Sequence, residues 1–186
     1  MSDGNGRPVH PPFPRIPRLY RDITITEKID GTNGLVYVTD NGDVYAGSRN
    51  RWVYPGDDNF GFASWVAQHK SDLATLGPGN HYGEWWGVGI GRGYGLFERR
   101  FSLFRLPEHT TEPPKCCGVV PVLYEGPTNW GDMEWHICHQ SSKLQHSGSI
   151  AAPGFMDPEG IVIYHKAGNT SFKFTFDGDG HKGARK

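Results

Sequence analysis

Short alternating stretches, separated by glycine or proline, set the strongest limit on how this chain can fold. Residues 23–28 and 35–39 alternate apolar with polar side chains and are rich in β-branched residues, a pattern typical of strands buried on one face. An Asn41-Gly42 pair follows and predicts a tight hairpin into a third strand at 44–48. The 186 residues include 26 glycines and 14 prolines, which favours short strands and many turns over a helical bundle.

The remaining pattern predicts more strands than helices. Apolar residues at helical spacing predict one helix within 59–79 and a second from about 130 to 145. The glycine-rich residues 88–95 predict a mobile loop. Further strands are predicted at 81–87, 100–106, 119–126, 160–166 and 171–176. We therefore expect an α+β fold of antiparallel β-sheets with flanking helices.

Charge and composition exclude several classes of protein. A formal net charge of −1 argues against a protein that coats nucleic acid without regard to sequence, because such proteins are usually basic. No apolar run is long enough to span a bilayer, and the N-terminus has no apolar core of a signal peptide. The odd set of Cys116, Cys117 and Cys138 fits reduced thiols better than a disulfide framework. We expect a cytoplasmic protein, or a nuclear one if the host has a nucleus, with no membrane partner.

The segment EKIDGTNG, residues 27–34, is longer and more charged than a hairpin turn requires. Its Lys28 ends a predicted strand and is followed closely by glycine. A lysine amine attacks only when it is neutral, so its ordinary pKa of about 10.4 has to be lowered by burial or by cationic neighbours. The alternative interpretation is a strand-end lysine paired with Glu27 or Asp30.

Three further charged residues stand in apolar surroundings. They are Glu84 in HYGEWWG, Glu159 in DPEGIVIYHK and Lys173 in SFKFTF. A charge in a buried strand is costly unless it has a partner, so these residues indicate one shared polar pocket. Carboxylates can hold Mg²⁺ and cations can hold phosphate oxygens, which would suit attack by Lys28 on a phosphate.

The order and spacing of these stretches closely resemble the covalent nucleotidyltransferases, the superfamily of ATP-dependent RNA and DNA ligases and mRNA capping enzymes. Their nucleophile motif, Lys-x-Asp-Gly, matches residues 28–31, and EKIDGTNG is most similar to the RNA ligase branch. The resemblance covers about residues 16–176. It implies a ligase-type, ATP-grasp-like nucleotidyltransferase domain at 21–177, between a proline-rich arm at 1–20 and a basic tail at 178–186.

The resemblance also implies site roles. Lys28 would attack the α-phosphate of ATP and become lysyl-AMP, Lys173 would hold that phosphate, and Glu159 would bind Mg²⁺ or Mn²⁺. The other nucleotide contacts would come from Glu27 beside the adenine, Asn33 near the reacting phosphates, Arg49 at the nucleotide or a 5′-phosphate end, Glu84 at the ribose hydroxyls and Phe104 stacked on the base. From its sequence context alone, Phe104 is equally well interpreted as a core residue.

The implied activity is that of an ATP-dependent RNA ligase, which joins 5′-phosphate to 3′-hydroxyl ends of nucleic acid. The alternatives are a DNA ligase, a GTP-dependent capping-type enzyme, and a nucleotide- or RNA-end-binding module with little catalysis. Thr175 departs from the family pattern, because it stands where the last motif usually has a second lysine. Only ten residues follow Phe176, so we expect no OB-fold or helical C-terminal domain and allow for a protein partner that supplies one.

Overall fold

Two β-sheets form the framework, and the computed structural model describes them within residues 13–58, 60–129 and 131–178. The strands in chain order are β1 (Ile23–Lys28), β2 (Thr32–Val38), β3 (Val44–Gly47), β4 (Trp52–Val53), β5 (Gly79–Gly87), β6 (Arg99–Leu103), β7 (Cys117–Val119), β8 (Val122–Gly126), β9 (Gly160–His165) and β10 (Thr170–Thr175). The first sheet has the order β10-β9-β1-β8, and the second has the order β4-β3-β2-β5-β6-β7. The prediction of an α+β fold built on antiparallel sheets is confirmed. Only the β6–β7 pair among the described strands is parallel.

The helices lie against the outer faces of the two sheets. They are α1 (Phe62–Gln68), α2 (Lys70–Leu73) and α3 (Asp132–Ser147), with two short 3₁₀ helices at Ala74–Leu76 and Gly93–Gly95. The single helix predicted within 59–79 is interrupted at His69, where φ is −113°. The His69 N–H donates to the carbonyls of both Trp65 and Val66, so one helix ends there and the next begins. Asn59 and Trp130, which open the two predicted helical segments, lie outside the described residues.

The single strand predicted at 119–126 is wrong, because the structure divides this segment between the two sheets. β7 pairs with β6 in the second sheet, whereas β8 pairs with β1 in the first. Pro121 lies between them and has no N–H to continue a ladder, and its carbonyl accepts a hydrogen bond from the Glu27 N–H. The chain therefore crosses from one sheet to the other at this proline.

Each sheet buries one face against helices. In the first sheet, Ile23 and Ile25 of β1 pack with Ile161 of β9 and Leu144 of α3. In the second sheet, the larger core gathers apolar residues from β2, β3, β5, β6, α1 and α2. A third cluster, which includes Ile29 and Trp86, fills the junction between the sheets. Alternation along β1 therefore leaves Lys28 on the face opposite to the α3 core.

No helix among the residues described is long and apolar enough to cross a membrane.

Candidate active site

Lys28 ends β1 and is held by a carboxylate from the start of β9. Its Nζ lies 2.5 Å from Glu159 Oε2, and the two side chains are 21% and 7% exposed. Lys28 is directly opposite Gly160 in the β1–β9 register. A Cβ at Gly160 would lie 2.1 Å from the Phe174 carbonyl oxygen, so only glycine fits between Glu159 and the strand. The predicted pairing of Lys28 with a carboxylate is present, but the partner is Glu159 rather than an adjacent residue.

Gly31 brings the chain from Lys28 onto the second sheet. A Cβ at this position would lie 2.5 Å from the Trp85 carbonyl oxygen and 2.8 Å from the Trp86 Cβ. The absence of a side chain lets the segment after β1 lie directly against β5. The preceding N–H, that of Asp30, donates to the Tyr94 hydroxyl at 2.8 Å. This close crossing places Lys28 beside Glu84, whose carboxylate accepts a hydrogen bond from the Gly31 N–H.

Glu84 on β5 is a carboxyl group whose ionisation is disfavoured. Burial is the largest cause and raises its pKa to about 7. The positive charge of Lys28 opposes that rise, whereas the negative charges of Glu159 and Asp30 add to it. Glu84 therefore changes charge near neutral pH, at a position where Lys28 and Glu159 both interact with it electrostatically.

Asn33 and Arg49 extend the site along the second sheet. Asn33 on β2 is the cross-strand neighbour of Glu84. Arg49, just after β3, donates from Nη2 to Asn33 Oδ1 at 2.8 Å. The structure thus brings together five residues from four separate predicted stretches: Lys28, Glu159, Glu84, Asn33 and Arg49.

Lys173 lies on the same face of the first sheet as Lys28. It is opposite Val162 on β9, and Val162 is in turn opposite Thr26, which shares a face with Lys28. Thr175 is opposite Gly160, the cross-strand neighbour of Lys28. The position where the family usually has its second lysine is therefore closer in register to Lys28 than Lys173 is.

Glu27 is buried on the opposite face of β1 and holds a loop. It is 1% exposed, and its carboxylate accepts hydrogen bonds from the Ser149 hydroxyl at 2.5 Å and the N–H groups of Ile150 and Ala151 at 2.9 and 3.0 Å. These contacts fix the start of the loop that connects α3 to Glu159. The expected contact between Glu27 and adenine stays a prediction, and the side chain is engaged away from the Lys28 face.

Phe104 follows β6 on the site face of the second sheet. Ser102 is the cross-strand neighbour of Glu84, and Phe104 is two residues further along. The Phe104 N–H donates to the Tyr82 carbonyl, which continues the ladder, and its ring is 40% exposed. A ring with this exposure does not belong to the core, so the interpretation of Phe104 as a core residue is wrong.

Two further residues of this site come from the glycine-rich segment that the sequence predicts as a loop. The Arg92 side chain is 14% exposed and lies among three carboxylates: it contacts Asp177, lies 2.5 Å from Asp157 Oδ2, and its Nε is 3.9 Å from Asp30 Oδ2. Tyr94 is 2% exposed and adopts a left-handed conformation with φ 54°. Burial raises the pKa of its hydroxyl, which therefore stays protonated while it accepts from Asp30. Two large residues in a glycine-rich run were the only signal in the sequence.

The carboxylates of the site suit a hard divalent cation. Within the described residues, no group of three or more His, Cys, Asp or Glu residues could hold a metal by itself. Mg²⁺ usually binds one or two carboxylates together with water and substrate phosphates rather than a full protein cage. Glu159, with Glu84 beside it, fits that manner of binding.

Comparisons with known proteins place the fold. A model of the RNA ligase family matches residues 21–175. No curated protein matches the sequence significantly. A solved structure of a Naegleria gruberi RNA ligase variant with AMP and Mn is similar with a TM-score of 0.61 and 20% identity, over 84% of this chain and 50% of that chain. A variant with ATP and Mn gives 0.59 and 19%, over 84% and 49%. The likeness shows a shared fold, and this chain spans about half the length of those structures.

Proposed function

Because this chain belongs to the RNA ligase family, we propose that it is an ATP-dependent RNA ligase that works through a Lys28–AMP intermediate. The observation that carries the proposal is the position of Lys28: its Nζ lies 2.5 Å from Glu159 Oε2, and its charge acts on Glu84 of the second sheet. Binding a nucleotide requires no nucleophile at this point. The site therefore favours a covalent enzyme over a binding module.

In the first step, Lys28 Nζ attacks the α-phosphorus of ATP. An N–P bond forms, the P–O bond to the β-phosphate breaks, and pyrophosphate leaves with the electron pair. The amine attacks in its neutral form, and solvent takes up the protons that Nζ releases as the N–P bond forms. A divalent cation, Mg²⁺ or Mn²⁺, bound at Glu159 would neutralise that carboxylate and the charge that develops on the phosphates.

The remaining residues position the nucleotide around this step. We assign the ribose hydroxyls to Glu84, the reacting phosphates to Asn33, Arg49 and Lys173, and the face of the base to Phe104. Support comes from their common location on the inner faces of the two sheets, on either side of Lys28. This arrangement contributes positioning and charge stabilisation, which are the main protein contributions to phosphoryl transfer.

In the later steps, AMP moves from Lys28 to the 5′-phosphate of one strand, and the 3′-hydroxyl of another strand displaces AMP. The overall product is a phosphodiester bond. Membership of the RNA ligase family supports RNA as the strand. We also propose that residues 21–177 form the nucleotidyltransferase unit and that this unit works with a protein partner; the family match over residues 21–175 supports the extent of the unit.

We place this reaction in the cytoplasm. The support is the state of the cysteines: Cys116 and Cys117 have their sulfur atoms 3.8 Å apart and unbonded, and Cys138 is free as well. Reduced thiols are typical of that compartment.

A strand-joining assay tests this function. An RNA with a 5′-phosphate and one with a 3′-hydroxyl are incubated with the protein, Mg²⁺ and ATP, and the products are separated on a denaturing gel. Lys28→Ala should abolish joining of the 5′-phosphate strand but still join a strand supplied already adenylylated, because that strand bypasses the lysine. Lys166→Ala is the matched control, since Lys166 is a surface lysine paired with Glu125. Equal joining of 5′-phosphate strands by the Lys28→Ala variant would contradict the proposal.

A further inference from the structure

Three aromatic side chains form an exposed cluster on the second sheet. Tyr37 on β2, Tyr45 on β3 and Trp52 on β4 have ring centroids 6.5 Å (Tyr37–Tyr45), 5.8 Å (Tyr37–Trp52) and 6.2 Å (Tyr45–Trp52) apart. Tyr45 and Trp52 are each 47% exposed. We call these three residues the aromatic platform.

The aromatic platform continues the site face of the sheet. Tyr37 follows Asn33 by four residues on β2, so both side chains lie on one face, about 13 Å apart along the strand. Tyr45 is the cross-strand partner of Tyr37. Val36 and Val38, which flank Tyr37, are buried in the core on the other face. A ligand that extends from Lys28 past Asn33 therefore reaches the platform without leaving the sheet surface.

Sheet stability alone does not account for this exposure. Cross-strand aromatic pairs do stabilise a sheet, but the core of this one lies on the opposite face. Clustered exposed apolar surface on a protein commonly marks a binding site. Neighbouring rings that are about half exposed to solvent present flat faces on which a ligand can stack.

The cationic charge near the platform lies at its active-site end. Arg49 is located there, and its guanidinium donates to Asn33. The charge of Arg51 is matched by Asp57, whose carboxylate lies 2.9 Å away. Asp40 and Asp43 occupy the turn between β2 and β3 and limit the cationic region at the far end. Exposed rings next to cationic charge are the combination with which proteins bind unpaired bases and their phosphates.

We propose that the aromatic platform stacks unpaired bases of the RNA next to the end that reacts at Lys28. This inference rests on the proposed function and deepens it, since it assigns a single-stranded segment to the substrate. The bases lie on the platform, while Arg49 contacts the phosphate between them and the reacting end. The RNA strand thus crosses β2, β3 and β4 as it leaves the site.

Fluorescence anisotropy with a 5′-phosphorylated single-stranded RNA, labelled at its 3′ end, tests the proposal without ATP. Trp52→Ala should weaken binding at least about fivefold, the lower limit for loss of one base stack. Trp52→Phe should retain most of the affinity, because phenylalanine still stacks. Trp135→Ala is the matched control, since Trp135 is 58% exposed on α3, and it should bind as the unaltered chain does. A fully paired RNA duplex should bind all four proteins equally.

Three results of this binding assay would overturn the proposal that the platform stacks bases. These are unchanged single-strand affinity in Trp52→Ala, an equal loss in Trp135→Ala, and an equal loss for the duplex. A dimer that becomes a monomer on Trp52→Ala in sedimentation would overturn it too, by showing that a second copy covers the rings. Covalent labelling by ATP involves no RNA, so absence of Lys28-dependent label would contradict the proposed function whatever the binding assay gives.

Discussion

At the scale of single residues, the raised pKa of the Glu84 carboxyl group has the clearest consequence for stability. Its pKa of about 7, against an ordinary value of 4.5, means that the folded protein holds this proton more tightly than the unfolded chain does. The resulting contribution to stability is fully present below about pH 4.5 and is lost as the pH rises through about 7. The chain tolerates a buried carboxyl group at this position because Lys28 and the Gly31 N–H partly stabilise the charged form.

Replacing Glu84 with glutamine should remove this dependence on pH. The free energy of unfolding of Glu84→Gln, taken relative to that of the unaltered protein, should rise by roughly 2–3 kcal/mol from pH 5 to pH 8. The reason is that the variant has no carboxyl group to ionise at this position. Urea denaturation of both proteins at the two pH values measures their free energies of unfolding. Groups that titrate alike in both proteins cancel from the difference between them. Parallel pH profiles for the two proteins would contradict the assignment of this shift to Glu84.

A substitution of Glu27 can distinguish a structural role of this residue from a contact with adenine. Glu27→Gln keeps the shape of the side chain but loses the charge that strengthens its hydrogen bonds from Ser149, Ile150 and Ala151. We expect a loss of about 2 kcal/mol in unfolding free energy, measured by urea denaturation, with a small change in affinity for ATP. Unchanged stability together with a large loss of ATP affinity would favour the adenine contact instead.

At the scale of elements, Arg92 joins segments that the chain separates widely. It belongs to the connection between β5 and β6 in the second sheet, whereas its partners Asp157 and Asp177 flank β9 and β10 in the first. Its planar guanidinium can donate hydrogen bonds to two carboxylates at once, whereas a lysine ammonium is less well suited to this geometry. Arg92 is a positioning residue: it holds the two sheets in register around Lys28.

Arg92→Lys should therefore slow the reaction of Lys28 with ATP more than tenfold. The stability loss should be within about 1 kcal/mol, because both aspartates are largely exposed to solvent. Arg100→Lys is the control, since Arg100 pairs only locally with Glu98. Single-turnover rates of covalent labelling, at saturating ATP, measure the effect. Equal rates in Arg92→Lys and Arg100→Lys would show that the linkage does not position the site.

The elements also show what the sequence can and cannot predict. β1, β5 and β9 are predicted from alternation and flanking glycines, because each has a buried and an open face. β10 is predicted from the alternation of its side chains alone, since none of its residues is buried. The two residues of β4 and the three of β7 are too short to show a period, and β7 is paired in parallel with a strand far from it in the chain. Periodicity likewise cannot predict the break between α1 and α2 at His69, because that break depends on a local change in hydrogen bonding.

Within the site, sequence order identified residues but not their partners. Lys28, Glu84 and Glu159 were found because each is a charge in apolar or glycine-rich surroundings. The ion pair of Lys28 with Glu159 spans 131 positions, and no local pattern encodes it. Arg92 stands out in the sequence only as a large residue in a glycine-rich run, and its three aspartates come from separate loops. Contacts of this kind arise from the topology of the two sheets.

At the scale of the whole molecule, the site exists only where the two sheets meet. Lys28, Glu159 and Lys173 come from the first sheet, and Glu84, Asn33 and Phe104 lie on the second. The crossing at Gly31 and the linkage through Arg92 hold these halves together. Residues 1–12 and 179–186, which include most of the expected proline-rich arm and of the basic tail, lie outside the described part of the chain.

The central claim is that Lys28 becomes covalently attached to AMP, and one measurement tests it most directly. Protein whose intact mass shows no bound nucleotide is incubated with Mg²⁺ and ATP labelled at the α-phosphate, and the label that survives denaturation is quantified for the unaltered chain, Lys28→Ala and Lys166→Ala. The account predicts stable label from ATP in the unaltered chain and in Lys166→Ala, and none in Lys28→Ala. Absence of label from the unaltered chain, or equal label in Lys28→Ala, would contradict it.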